Sequence, residues 1–70
     1  MKIEIIEVDY QEDSDALTLR ECGFQPGDIV EVSGKYNDGK LSIKVMRGTR
    51  FVRVGNEISI GKHEYKVVEG

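Results

Sequence analysis

The chain holds one cysteine, one histidine, one proline and no tryptophan, and its aromatic side chains are two Phe and three Tyr. A single cysteine, Cys22, excludes an intrachain disulfide and a zinc site built from several thiolates, and it suits a reducing compartment. A single histidine, His63, has no partner at a useful spacing. Glu64 follows it directly, and in a strand adjacent side chains point to opposite faces. Acid–base or metal chemistry needs a constellation of groups, which these residues do not offer. The glycines form neither G-x-G-x-x-G nor G-x-x-x-x-G-K, so no phosphate-binding loop is indicated. No apolar run approaches the roughly 20 residues of a membrane span. Acids interrupt the opening Ile3-Glu4-Ile5-Ile6-Glu7, so no signal peptide is read there. The expectation is a soluble, cytoplasmic protein that is not an enzyme, carries no cofactor or metal and does not insert into membranes.

Seventy residues, 39% hydrophobic and 33% charged, suit one small globular domain spanning residues 1–70. Such a chain buries only about 60% of its unfolded surface, so the core is thin. The net charge of −3 conceals a division. Residues 1–33 carry nine acids and two bases, a net of −7, while residues 34–70 carry eight bases and four acids, a net of +4. Either the halves neutralise each other across the fold, or a dipolar surface orients a charged partner.

Glycines recur at short intervals between segments rich in Val, Ile, Tyr and Phe, a strand-and-turn pattern. Asp38-Gly39 reads as a two-residue hairpin pairing Tyr36 with Leu41, Gly34 with Ile43 and Val32 with Val45. Gly48-Thr49 reads as a second tight hairpin pairing Val45 with Val52 and Ile43 with Val54. Both place Val30, Val32, Ile43, Val45, Val52 and Val54 on one face. Gly55-Asn56-Glu57 then forms a three-residue loop that keeps Ile58 and Ile60 inside, and Gly61-Lys62 closes a last hairpin. Residues 2–8 form the opening strand. A short helical turn is expected near residues 14–22, with Ser14 as cap and Gly23 ending it, although Thr18 weighs against it. Gln25-Pro26-Gly27-Asp28 is a tight turn. The fold class expected is all-β: a small SH3-like β-barrel of five to six short antiparallel strands, closed or nearly closed so that no long edge is left.

The run Leu17-Thr18-Leu19-Arg20-Glu21-Cys22-Gly23-Phe24-Gln25-Pro26-Gly27-Asp28-Ile29-Val30-Glu31-Val32 resembles the FeoA-like family of small SH3-like barrels. There a short helix ends in a Leu-Gly-apolar step, followed by a Pro-Gly turn and a Val-x-Val strand. The likeness covers residues 2–54 in order and is sharpest over 19–32. It implies a non-catalytic module acting by protein contact, such as an accessory protein of ferrous-iron transport. Two features depart from the family pattern. Cys22 stands where the family usually has Leu, and the Gly61-Lys62 hairpin replaces a helical turn before the last strand.

The expected hairpin register puts Lys44 opposite Arg53 and Met46 opposite Phe51 on the outer face, with Arg47 and Arg50 beside the turn. Like charges directly opposed destabilise a sheet pair. Exposed Met, Phe and Arg are types enriched at protein interfaces, so these six residues form a candidate partner-binding patch. Asp9, Glu12, Asp13 and Asp15 form a second candidate surface, suited to a basic partner and lacking the spacing of a calcium loop. The leading expectation is a regulatory module that binds a protein. One alternative is a small inhibitor of a host enzyme, of the kind phages encode. Another is a nucleic-acid-binding barrel using the basic 35–53 face, which the pI near 5.0 disfavours.

Overall fold

The computed structural model describes residues 1–11 and 14–70. Five antiparallel strands form one sheet: β1 (Lys2–Ile5), β2 (Ile29–Lys35), β3 (Leu41–Lys44), β4 (Glu57–Ile60) and β5 (Tyr65–Glu69). Their order is β4-β3-β2-β1-β5, and a 3-10 turn at Lys62–Glu64 precedes β5. The all-β expectation holds. Closure does not: among the described residues β4 and β5 stand at opposite ends of the sheet without pairing.

The seven-residue β2 organises this sheet. Its first half pairs with β1, as in Ile3 opposite Val30. Its second half pairs with β3, as in Val32 opposite Ile43. Between Val32 and Gly34 the register shifts, which bends the strand and lets one chain serve both halves. The inner faces bury Ile3, Ile5, Val30, Leu41, Ile43 and Ile60. Phe24, from outside the strands, is the largest fully buried side chain. Val8, Leu19, Cys22 and Val45 complete the core.

Several expected turns take a different form. Gly39 does bend the chain after β2, with φ +91. The loop is three residues long, however, because Tyr36 donates to the Lys40 carbonyl at 2.8 Å and Gly39 donates back to the Tyr36 carbonyl. Lys35 therefore faces Leu41, and past the bulge Val32 faces Ile43. The slip from the expected Gly34–Ile43 pair is two residues, which preserves the faces, so Val32 still packs against the core.

The Gly48-Thr49 hairpin does not form. The partner of β3 is β4, with Lys44 opposite Glu57 and Ile43 opposite Ile58. Residues 45–56 form a loop instead. It is closed by Val45 N–H donating to the Asn56 carbonyl and Gly55 N–H donating to the Val45 carbonyl. Val52 leans on the core, whereas Val54 is 66% exposed, contrary to the shared inner face expected for it. Ile58 and Ile60 do lie inward. Gly61-Lys62 is not a hairpin either: β5 crosses to pair with β1, and a 3-10 turn makes the connection.

Residues 14–22 contain no regular helix. A single turn begins at Thr18, four residues after the expected cap. Thr18 Oγ1 accepts from Glu21 N–H at 3.2 Å, and Glu21 Oε1 accepts from Thr18 N–H at 3.0 Å, a reciprocal capping box. The other end closes with Gly23 N–H to the Arg20 carbonyl and Phe24 N–H to the Leu19 carbonyl, a Schellman arrangement. Gly23 takes φ +89 there, as the sequence suggested. A Cβ at this position would lie 2.6 Å from the Arg47 carbonyl oxygen. At Gly27, also left-handed at φ +94, a Cβ would meet nothing within 4 Å.

Chemical denaturation separates these two glycines. Gly27→Ala is expected to cost about 1 kcal/mol, the strain of a left-handed residue alone. Gly23→Ala is expected to cost roughly 3 kcal/mol, since overpacking adds to that strain. Equal losses would mean that the Arg47 carbonyl does not approach Gly23 in solution.

Candidate contact site

The turn at Thr18–Phe24 and the Pro26-Gly27 bend make a platform for loop 45–56. The bend is built as expected: Asp28 N–H donates to the Gln25 carbonyl, and Asp28 Oδ2 accepts from Gln25 N–H at 2.9 Å. This second bond fixes the Asp28 carboxylate against the backbone of the bend, where its side chain is only 13% exposed. Arg47 grips it with both ends of its guanidinium, Nη1 to Oδ2 at 2.8 Å and Nη2 to Oδ1 at 3.1 Å. The same Nη1 also donates to the Gly23 carbonyl at 2.9 Å. Two-pronged pairs of this kind add geometric specificity to charge attraction.

Thr49 supplies the second tie. Its hydroxyl donates to the Glu21 carbonyl at 2.8 Å and accepts from the N–H groups of Phe51 and Val52. One donor and two acceptor positions exhaust what a hydroxyl offers. The loop is thereby held at both Arg47 and Thr49, and the segment after Thr49 turns outward. Phe51 is 47% exposed and Met46 43% exposed. The Arg50 guanidinium lies 5.3 Å from the centroid of the Phe51 ring, within cation–π range.

The six residues of the expected patch are thus distributed differently from the hairpin register. Lys44 faces Glu57, not Arg53, so the like-charge opposition is absent. Met46 does not face Phe51 across a ladder, because neither belongs to a strand. Arg47 is engaged with Asp28, while Arg50, Phe51 and Arg53 remain exposed on the loop. Across β2, β3 and β4, Glu57 Oε2 accepts from Ser42 Oγ at 2.8 Å and from Ser33 Oγ at 3.2 Å. These hydroxyls, Ser42 first, hold the Glu57 carboxyl below its ordinary range, and the Lys44 charge acts the same way.

In the second candidate surface, Asp9 is paired with Arg20 through Nε to Oδ1 at 2.8 Å and Nη2 to Oδ2 at 3.2 Å. Glu12 and Asp13 lie outside the described residues, and Asp15 is exposed. Cys22 is buried, and that burial pushes its thiol above the ordinary range, with the Glu21 and Glu64 charges adding to it. His63 sets its ring against Tyr10, centroids 4.0 Å apart and planes at 71°. Among the described residues no group of three or more His, Cys, Asp and Glu side chains is placed to hold a metal ion. Nor is any helix long and apolar enough to cross a membrane.

The ties of loop 45–56 escaped sequence reading, although Thr18-x-x-Glu21 is a legible capping signature. The bond from Arg47 to Asp28 spans 19 residues and carries no local signal. No protein-family model, curated protein or solved structure matches the chain.

The Arg47 guanidinium holds the Asp28 carboxyl below its ordinary range, with the Gln25 N–H helping. A depressed carboxyl stabilises the fold fully above its unfolded value of about 3.9, and that contribution fades as pH falls through the lower folded value. Asp28→Asn should therefore melt below the wild type at neutral pH. The gap should close under acid, as the pH falls through the lowered folded value. A gap independent of pH would show that the ion pair contributes nothing.

Proposed function

We propose that the chain is a non-catalytic module that acts by protein contact, and that loop 46–54 presents the contact. The observation that carries this reading is the combination of exposed side chains and a fixed backbone. Phe51, Val54 and Met46 lie open on a loop whose other side is tied at Arg47 and Thr49. Ordering a loop on binding consumes affinity, so a loop already held favours recognition. Aromatic and Met side chains flanked by Arg50 and Arg53 have the composition of an interface centre with a charged rim.

We read the strand order, with its bent β2 and a 3-10 turn before β5, as SH3-like. The resemblance of residues 17–32 to the FeoA-like family supports the same reading. An accessory protein of ferrous-iron transport and a phage-type inhibitor of a host enzyme are two instances of one chemistry, contact without catalysis. Nucleic-acid binding by the 35–53 face is the weaker alternative. Arg47 is neutralised by Asp28 and Lys44 faces Glu57, which leaves that face with less free positive charge than its composition suggests.

A comparison of wild type with a double variant, Phe51→Ala and Arg53→Glu, tests this. Capture of partner from lysate should be lost while the melting temperature stays within about 2 °C, because exposed side chains contribute little to stability. Capture of the same proteins by the variant would overturn the assignment of the loop.

A further inference from the structure

Between Val45 and Asn56 the chain carries three arginines and no acid. Arg47 is matched by Asp28. Arg50 and Arg53 are exposed, and among the described residues neither makes an ion pair. The acids on the neighbouring segments are engaged elsewhere. Glu57, which follows the loop, faces Lys44 across the ladder and accepts from Ser42 and Ser33. Glu21, whose carbonyl receives the Thr49 hydroxyl, turns its carboxylate to the N–H and hydroxyl of Thr18. The loop therefore keeps two unpaired positive charges on a chain of net charge −3.

Their placement is specific. Thr49 N–H donates to the Val52 carbonyl at 2.9 Å, which closes a tight turn with Arg50 and Phe51 at its tip. The Arg50 guanidinium stands against the Phe51 ring, and a neutral ring positions that charge without cancelling it. A guanidinium offers a planar fork of donors that fits a carboxylate. The edge of an aromatic ring is its positive rim, so a carboxylate drawn to Arg50 also meets a favourable ring edge. Met46 and Val54, at the two ends of the loop, add exposed apolar surface. Phosphates of a nucleic acid would fit a guanidinium as well. Such a polyanion is repelled by the chain's net negative charge, however, and its backbone offers Met46 and Val54 no apolar counterpart. A protein segment that mixes carboxylates with apolar side chains satisfies both halves of the surface.

Given that loop 46–54 is the contact surface, we propose that it takes an acidic, apolar segment of a partner protein. Carboxylates of that segment pair with Arg50 and Arg53, and an apolar side chain covers Phe51.

The experiment is an NMR titration of the isotope-labelled full chain with short capped peptides and with oligothymidine. One peptide alternates Glu and Leu, one Lys and Leu, one Glu and Ser. The Glu-Leu peptide should shift the amides of Arg50, Phe51, Arg53 and Val54 saturably. The Lys-Leu and Glu-Ser peptides should bind about tenfold more weakly or worse, the first lacking charge complementarity and the second the apolar contact. Raising salt from about 50 to about 300 mM should weaken the Glu-Leu complex several-fold. Arg50→Gln combined with Arg53→Gln should weaken it roughly three- to tenfold, since both charges are exposed. If that variant does not fold, the wild-type comparison decides alone. Equal or tighter binding of the Lys-Leu peptide at the same amides overturns the acidic partner and leaves the loop as a contact surface. Unchanged Glu-Leu binding by the folded double variant does the same, and equal binding of the Glu-Ser peptide overturns the apolar half. Tighter binding of oligothymidine than of Glu-Leu at those amides overturns the proposal in favour of nucleic acid. No saturable shift within residues 46–54 for any ligand at millimolar concentration overturns both the proposal and the assignment of the loop.

Discussion

At Gly23 two requirements meet. The backbone must turn left-handed to end the Thr18–Phe24 turn, and the Arg47 carbonyl must pass where a Cβ would stand. Much else follows from that close passage. It brings the Arg47 guanidinium within reach of both the Gly23 carbonyl and Asp28, and it sets Thr49 beneath the Glu21 carbonyl. The same turn delivers Leu19, Cys22 and Phe24 to a core that five short strands alone would leave open. A segment with no regular secondary structure thus closes the core and anchors the exposed loop.

Charge follows the same division of labour. Asp28–Arg47 and Glu4–Lys66 join the acidic first half of the chain to the basic second half. Part of the segregation visible in the sequence is therefore spent inside the fold. What remains is uneven: Arg50 and Arg53 stay exposed on the loop.

The all-β class, the Pro26-Gly27 bend, the left-handed Gly23 and the inward Ile58 and Ile60 were legible because each depends on neighbours within a few residues. Register was less so. Gly39 marks the bend, but a two-residue and a three-residue loop both use a left-handed glycine, and the bulge at Val32–Gly34 leaves no composition signal of its own. The Gly48-Thr49 hairpin was a reasonable local reading, yet Gly48 does not take a positive φ. Residues 47 and 49 are held instead by groups from the 21–28 segment, and β3 pairs with a strand farther along. Val54 reads as a core residue by alternation and lies in water because it sits in no strand. Thr18 was misread in the other direction: β-branching counts against a helix interior, but at a cap the hydroxyl is what matters. The candidate patch kept its exposed members, Met46, Arg50, Phe51 and Arg53, for a reason other than the one inferred.

Native-state amide hydrogen exchange tests most directly whether loop 45–56 is locked to the Thr18–Phe24 turn. If it is, the amides of Thr49 and Val52 open together with that of Phe24, with matching protection and a matching response to denaturant. Rapid, denaturant-independent exchange at Thr49 and Val52 beside a protected Phe24 would contradict the docking on which the rest of the structure is built.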